Sequence, residues 1–255
     1  MFKYIKTATW FLLRPRYLPQ IFQVFKRNKY KKKENTKHNA TKWAKDNAID
    51  KLTTIKEICG NDAQLIHFKT EFTEFYNYAL KQQKNCPVNM GGEGAVDMLY
   101  SITKYKKPKN IIETGVAYGW SSLAILLGIK DIENAYLISN DMPYIKMNND
   151  DYVGCVVPGN LKSRWELQRL PDIVGIPKAL KKFDYRIDLC HYDSDKSYTG
   201  RMFAYPLLWN ALVPGGIFIS DDIQDNIAFK EFSEKVNRQP FIFEHKSKYV
   251  GILVK

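Results

Sequence analysis

The stretch Ile111-Ile112-Glu113-Thr114-Gly115-Val116-Ala117-Tyr118-Gly119-Trp120-Ser121-Ser122 decides the fold that this sequence predicts. Its β-branched residues and following glycines indicate a buried strand, a tight turn and then a helix. Glycine lets the backbone approach a ligand where a Cβ atom would collide, and free amides at a helix start would face that ligand. In an open α/β sheet a nucleoside cofactor binds in this crevice, toward which we expect Glu113 to point.

The spacing of the two glycines narrows the class of cofactor. A dinucleotide-binding turn requires G-x-G-x-x-G, and a phosphate loop requires G-x-x-x-x-G-K-[ST]. Gly115 and Gly119 fit neither pattern, because no glycine stands at the close-approach position and no lysine follows. The turn is therefore unsuited to gripping phosphates, which disfavours a nicotinamide oxidoreductase. A plain strand-to-helix connection that needs two glycines is the alternative.

Length and composition bound the class of protein. The 255 residues suffice for one sizeable α/β domain plus an extension. The four cysteines lie far apart, which favours reduced thiols in a cytoplasmic protein over disulfides or a zinc site. No apolar run approaches the ~20 residues of a membrane span, and no cleavable signal peptide is evident.

The net charge of +12 is concentrated at the N-terminus, where residues 1–37 carry a net +10. Aromatic residues accompany the charge, and Pro15 and Pro19 divide the segment into short helical pieces. Such a segment suits an anionic membrane surface, on the inner membrane face, or an acidic partner. A helix packed on its own domain with a solvated basic face is an equal alternative. Nucleic acid is disfavoured because no recognised nucleic-acid module follows.

The pattern divides the chain into a basic amphipathic extension at 1–40, a helical cap at 41–90 and a cofactor-binding domain at 91–255. Within that domain strands and helices alternate before a C-terminal hairpin, which predicts an α/β fold with a mostly parallel sheet. Asp141 ends the second strand, where an acidic residue accepts hydrogen bonds from ribose hydroxyls. A surface aspartate before a proline turn is the alternative for Asp141.

Carboxylates gather where the fourth and fifth strands are predicted to end. Asp193 and Asp195 follow the fourth strand, and Asp221 and Asp222 end the fifth. Like charges this close repel unless a cation neutralises them, and Mg²⁺ with its preference for oxygen ligands would do so. Capping of the following helices is the alternative, although it explains one acid in each turn better than a pair.

Two motifs resemble a known family. The pattern E-x-G-x-x-x-G-x-S at 113–121 resembles motif I of the class I S-adenosylmethionine-dependent methyltransferases. Asp193-Ser194-Asp195-Lys196-Ser197-Tyr198, with the later G-G-x-x-x-x-D-D at 215–222, resembles the metal-dependent catechol and caffeoyl-coenzyme A O-methyltransferases. The wider match from residue 91 is closer to bacterial methyltransferases of sugar and natural-product modification. The resemblance implies a Rossmann-like fold with a seven-stranded sheet and S-adenosylmethionine as cofactor.

The resemblance also implies roles for particular residues. The predicted cofactor-binding residues are Glu113, Gly115, Gly119, Ser121, Asp141 and Asp193. The predicted Mg²⁺ ligands are Asp193, Asp221 and Asp222, and Lys196 is the predicted base, with Asp193 beside it. Asp222 departs from the metal-dependent enzymes, which have asparagine there. Asp172 is a weak candidate beside the adenine or a helix N-cap, and His191 is expected in the core.

These residues predict transfer of a methyl group to a hydroxyl of a sugar, glycan intermediate, polyol or catechol-like acceptor, with Mg²⁺ assistance. A metal bound to a hydroxyl lowers its pKa, and a nearby lysine can then remove the proton. The alternatives are a nicotinamide-dependent oxidoreductase and a catalytically silent Rossmann-like scaffold tethered by its basic extension. The sequence does not identify the acceptor or an oligomeric state.

Overall fold

The computed structural model describes residues 9–143 and 149–255, apart from the side chains of residues 22, 24, 25 and 28. The first eight residues of the predicted extension therefore lie outside the described part. So does Tyr144, which follows the second predicted strand.

A seven-stranded sheet in the order β3-β2-β1-β4-β5-β7-β6 forms the centre of the described part. The strands are β1 (Asn110–Thr114), β2 (Tyr136–Asn140), β3 (Trp165–Gln168), β4 (Ile187–Tyr192), β5 (Leu212–Ser220), β6 (Phe241–His245) and β7 (Lys248–Val254). The strands from β1 to β5 are parallel, whereas β7 pairs antiparallel with both β5 and β6. The predicted α/β fold with a C-terminal antiparallel hairpin is confirmed.

Helices cover both faces of the sheet. They are α1 (Pro19–Lys29), α2 (Lys31–Glu34), α3 (Lys37–Asp46), α4 (Lys51–Cys59), α5 (Phe68–Glu71), α6 (Thr73–Asn85), α7 (Val96–Lys106), α8 (Trp120–Ile129), α9 (Asp172–Lys182), α10 (Tyr198–Ala211) and α11 (Ala228–Lys235). Helix α8 is apolar on nearly every side because it packs between α7 and the sheet. Its N-terminus is thereby held directly above the end of β1.

The helices of residues 41–90 pack beside α7 and reach the glycine turn at its edge. Asp50 caps α4 by accepting a hydrogen bond from the Thr53 amide at 2.9 Å, and α4 ends at Gly60 with φ of 109°. Further along, the indole N–H of Trp120 donates to the Gln83 side chain at 2.6 Å. The chain is not helical at residues 60–62, between α4 and α5. The predicted domain boundaries stay predictions.

The described part of the N-terminal extension packs on the α/β domain. Tyr17 is fully buried and its hydroxyl donates to the Arg169 carbonyl at 3.2 Å. Glu34 caps α10 by accepting hydrogen bonds from the amides of Tyr198 and Thr199 at 2.7 and 3.1 Å. In the described residues the extension thus behaves as a packed helix with a basic outer face. Within the same residues, no helix combines the length and apolar character needed to cross a membrane.

Candidate active site

A cavity of about 580 Å³ opens at the carboxyl ends of β1, β4 and β5. Six parts of the chain line it: the segment 90–95, Leu99 of α7, the glycine turn with the start of α8, the end of β4, the end of β5, and the β6–β7 hairpin. Its polar and turn residues include Glu93, Gly115, Ser121, His191, Asp193, Ser194, Lys196, Asp221, Asp222, His245, Lys246 and Lys248. Ligands of parallel α/β sheets bind at this edge.

The two glycines of the turn are required by the protein backbone itself. Gly115 has φ of +79°, and a Cβ atom there would lie 2.4 Å from the carbonyl oxygen of Asp193. Gly119 has φ of +95°, and its Cβ atom would lie 2.9 Å from the Cα atom of Gly154. The sequence argument attributed both glycines to approach of a ligand. The structure shows a second reason for glycine at both positions: neighbouring backbone atoms come too close for a Cβ atom, whether or not a ligand is bound.

Asp141 braces the glycine turn from the end of β2. Its Oδ2 atom accepts hydrogen bonds from the amides of Val116 and Ala117 at 2.8 and 3.1 Å. Its Oδ1 atom is paired with the Arg169 guanidinium, which also contacts Asp150 at 3.0 Å. Ribose hydroxyls that bound Asp141 would therefore compete with Arg169 for Oδ1. The ribose-binding role stays a prediction.

A buried imidazole joins two of the predicted site carboxylates. Glu113 is fully buried, accepts hydrogen bonds from Ser122 and Ser139 at 2.5 and 2.6 Å, and lies 3.6 Å from Nδ1 of His191. The Nε2 atom of His191 lies 3.4 Å from Asp221. Burial lowers the pKa of His191, but the two carboxylates outweigh it and raise the pKa to about 9. The imidazole is therefore positively charged at neutral pH.

His191 is the main cavity residue that sequence reasoning placed elsewhere. It is buried as a core histidine would be, yet it also lines the cavity. The sequence did contain a signal that His191 faces the cavity. Side chains two residues apart in a strand point to the same face, and His191 stands two residues before Asp193. Glu113 lies beneath the glycine turn and does not line the cavity. In this structure its carboxylate faces the cavity only through His191.

Lys196 comes together with the carboxylates as the sequence predicts. Its ammonium group pairs with Asp193 and lies 2.8 Å from Asp222, while Lys248 lies 3.0 Å from the other oxygen of Asp222. Burial raises the pKa of Asp222, but the two lysines lower it to about 2. Burial likewise raises the pKa of Asp221, and the adjacent His191 reverses the effect, so that its pKa is lowered. Asp221 and Asp222 are therefore ionised at neutral pH.

The contacts of the three predicted Mg²⁺ ligands do not fit a metal site. Within residues 9–143 and 149–255, no three His, Cys, Asp or Glu side chains are grouped so that they could hold a metal ion. The physical reason lies in the cations of the chain: Lys196, Lys248 and His191 already neutralise the acids. The repulsion that motivated the metal prediction is thus relieved by side chains, one of which comes from the distant β6–β7 hairpin.

Two other acids near the carboxyl edge of the sheet, Asp195 and Asp172, bind groups other than Lys196. Both oxygens of Asp195 accept hydrogen bonds from Arg27 of the extension, at 2.9 and 2.8 Å. Asp172 is the first residue of α9 rather than its N-cap, and its carboxyl group accepts hydrogen bonds from Asn140 and Ser194 at 2.9 and 2.5 Å. Burial raises the pKa of Asp172 to about 6.

A family model described as a methyltransferase domain matches residues 112–223. The matched segment runs from β1 through the glycine turn and both acidic turns. This segment, which is less than half of the chain, is similar to the methyltransferase family. The search of curated proteins finds no match.

Solved structures share the methyltransferase fold at low sequence identity. An O-methyltransferase from Bacillus cereus in complex with SAH is 14% identical, with a TM-score of 0.56 over 80% of this chain and 96% of that one. A structure from Staphylococcus aureus described as a candidate caffeoyl-CoA O-methyltransferase is 12% identical, with a TM-score of 0.55 over 74% and 95%. TomG from Streptomyces achromogenes, an O-methyltransferase of tomaymycin synthesis in complex with SAM, is 12% identical, with a TM-score of 0.53 over 71% and 90%.

Proposed function

We propose that this protein is a methyltransferase that uses S-adenosylmethionine to methylate a hydroxyl oxygen. The observation that carries the proposal is one cavity that joins the motif I turn to Lys196, which is held between Asp193 and Asp222. A hydroxyl group bound in this cavity would lie between Lys196 and Asp193 on one side and the motif I turn on the other. The family match and the O-methyltransferases among the solved structures of the same fold support the reaction class.

The cavity residues fit the methionine end of this cofactor. Gly115 and Ser121 line it from the turn, and Asp193 lines it from the end of β4. Carboxylates suit the ammonium and sulfonium groups of the cofactor, whose methyl carbon supplies the electrophile. We assign binding of this end to the turn and Asp193, and we retain Asp141 as the proposed ribose-binding residue.

Lys196 is the residue that handles the proton of the acceptor hydroxyl in this proposal. Asp193 and Asp222 hold its ammonium group at the cavity wall, so that its position is fixed before an acceptor binds. For this step Lys196 first releases one proton to solvent. Its neutral amine then takes the hydroxyl proton as the oxygen forms its bond to the methyl carbon, and the electrons of the broken carbon–sulfur bond stay on sulfur. Alignment of the oxygen with that bond accounts for much of the rate enhancement.

The proposed acceptor is a hydroxylated small molecule, such as a sugar, glycan intermediate, polyol or catechol-like compound. The charged side chains of the cavity wall offer hydrogen-bond partners to the hydroxyl groups of such an acceptor. Assistance by Mg²⁺ is left out of the proposal, because the ammonium groups of Lys196 and Lys248 occupy the oxygens that would bind the ion.

Two measurements test the proposal. Calorimetry should show binding of S-adenosylmethionine and not of a nicotinamide dinucleotide; the reverse result would favour an oxidoreductase. Methyl transfer is then measured on a panel of sugars, polyols and catechols, with Mg²⁺ or with a chelator. Equal rates in both conditions are expected, and strict dependence on Mg²⁺ would restore the metal site. Cofactor binding with no transfer to any acceptor would favour the silent scaffold.

A pair of lysine variants tests the residue assignment. Lys196→Met should retain cofactor affinity and lose transfer by about 10²–10⁴-fold, the contribution of a positioned acid or base. Lys235→Met removes an exposed lysine of α11 and should leave both unchanged. Retained transfer in Lys196→Met would contradict the assignment of Lys196.

A further inference from the structure

The position of Lys196 depends on two turns of the chain. Its ammonium group pairs with Asp193 in its own turn after β4 and with Asp222 in the turn after β5. Because these carboxylates follow different strands, the arrangement changes whenever one turn moves relative to the other. Such movement affects rate strongly, since a misplacement of about 1 Å can cost about 10²-fold. The contacts that hold the two turns in place are therefore part of what the proposed reaction requires.

Arg27 of the extension holds the turn after β4. Its Nη2 atom donates to both oxygens of Asp195, at 2.9 and 2.8 Å. Asp195 directly precedes Lys196, and its Oδ1 atom also accepts a hydrogen bond from the Ser197 amide at 3.0 Å. The Asp195 side chain packs on the start of α10, because a Cβ atom at Gly200 would lie 2.3 Å from its Cγ atom. The turn that carries Lys196 is thus attached to α1.

Glu34 and Thr36 extend these contacts to the start of α10 and to the turn after β5. Both oxygens of Glu34 accept hydrogen bonds from backbone amides, from Tyr198 at 2.7 Å and from Thr199 at 3.1 Å. The hydroxyl oxygen of Thr36 accepts a hydrogen bond from the Ile227 amide at 2.9 Å. Ten consecutive positions of the extension therefore contact both turns that hold the lysine.

We infer that residues 27–36, the bridging segment, position the active site by holding these two turns in the arrangement that Lys196 requires. Of the described residues that line the cavity, none belongs to this segment, so that it acts through the turns. The inference rests on the proposed function, because it concerns the residue to which the proton of the acceptor is assigned. It gives the extension a role in methyl transfer that a helix packed on the outside of the domain would not have.

Arg27 is suited to a test because its ion pair contributes little to folding. Its side chain is 39% exposed, and exposed ion pairs add little to stability. Arg27→Met should therefore leave the melting temperature within about 4 °C of that of the unaltered protein. Lys26, the preceding residue, is exposed. Lys26→Met removes the same charge and is the matched control.

The first measurement compares the rate of methyl transfer by the full chain with its affinity for S-adenosylmethionine. The acceptor is the compound of the panel above that reacts fastest. Arg27→Met should lower kcat by about tenfold, because the turn of Lys196 shifts, and should leave cofactor affinity within about twofold. Arg27→Lys should recover much of kcat, since a single nitrogen makes both contacts with Asp195. Lys26→Met should change neither quantity.

A double-mutant cycle shows whether Arg27 acts through Asp195. Asp195→Asn alone should also lower kcat. The double variant Arg27→Met/Asp195→Asn should be no slower than the slower of the two single variants, because both changes remove one contact. Losses in kcat that multiply would show that the two residues act independently, and would contradict the role assigned to Arg27.

Hydrogen exchange without ligand tests the contacts independently of turnover. Arg27→Met should raise the exchange rate of amides in residues 195–200 by about fivefold, the effect of about one lost hydrogen bond. Thr36→Val should do the same for the Ile227 amide, whose acceptor it removes. Neither variant should change exchange in the glycine turn at residues 115–119.

The remaining outcomes are distinguishable. Unchanged kcat in Arg27→Met, or an equal loss in Lys26→Met, overturns the inference. Loss of cofactor affinity and melting temperature in step with kcat also overturns it, since the role of Arg27 would then be general stability. If the unaltered protein transfers no methyl group, the proposed function is refuted, and unchanged exchange at both turns would separately overturn the bridging role. Arg27→Gln is used in the same measurements if Arg27→Met does not fold.

Discussion

Substitution of Gly115 by alanine separates the structural role of the glycine turn from its role in binding. The residue has φ of +79°, a conformation that L-residues rarely adopt. Its added Cβ atom would lie 2.4, 2.6 and 2.9 Å from three backbone atoms of Asp193 and Ser194. Those atoms belong to the chain that leaves β4, so they cannot move aside as a flexible side chain would. Gly115→Ala should therefore destabilise the protein without any ligand present.

The size of the effect follows from two contributions. An alanine in the left-handed region costs about 1–2 kcal/mol, and forcing an extra methyl group against packed atoms costs about 1–3 kcal/mol. The free energy of unfolding should thus fall by about 2–5 kcal/mol. For a chain of this size that loss corresponds to a decrease in Tm of roughly 4–20 °C.

Urea unfolding without cofactor measures this effect, and Gly92→Ala is the matched control. Gly92 also lines the cavity, but its φ is outside the left-handed region and an added Cβ atom would meet nothing within 4 Å. The control should unfold within about 0.5 kcal/mol of the unaltered protein. A loss below about 1 kcal/mol in Gly115→Ala, or an equal loss in both variants, would show that backbone approach does not explain the glycine.

Two further predictions concern the buried carboxyl of α9 and the surface of the extension. Burial raises the pKa of Asp172 from 3.8 to about 6, so its charge destabilises the folded state increasingly above pH 3.8 and fully above pH 6. Asp172→Asn should therefore raise the unfolding free energy by about 3 kcal/mol at pH 8 and by less at pH 5, whereas equal gains would contradict the reasoning. Leu12 and Leu13 are 72% and 73% exposed beside Arg14 and Arg16, which suits insertion into an anionic membrane surface. The protein should float with anionic vesicles and not with neutral ones. The double variant Leu12→Glu/Leu13→Glu should not float, and flotation of this variant would count against membrane binding by Leu12 and Leu13.

The parts of the fold that depend on local patterns could be predicted from the sequence. The run from Ile111 to Leu127 contains a strand, a turn and a helix within the reach of hydrophobic periodicity. The first and last residues of helices and strands were harder to predict, because they depend on contacts with residues distant in the sequence. Strand β5 begins at Leu212, before Pro214-Gly215-Gly216, which by pattern alone predict a turn. Leu212 belongs to the strand because it pairs with Ile187 across a register shift in β4.

The candidate site was predictable where residues are close in sequence or at ends of parallel strands. Asp193 and Lys196 share one turn, and the approach of Asp222 follows from the pairing of β4 with β5. The contacts of Lys248 with Asp222 and of Arg27 with Asp195 depend on the tertiary fold. No spacing of residues in the sequence predicts such contacts. The sequence analysis therefore assigned to a metal ion the positive charge that the lysines supply.

The arrangement of charges in the cavity has a consequence for the proposed reaction. Methyl transfer from a sulfonium to an oxygen removes the positive charge of the cofactor as the negative charge of the acceptor disappears. Unpaired carboxylates would bind the charged ground state more strongly than the transition state and would slow transfer. Lys196 and Lys248 neutralise Asp222, and Lys196 also neutralises Asp193. The pairing therefore limits this excess binding of the sulfonium.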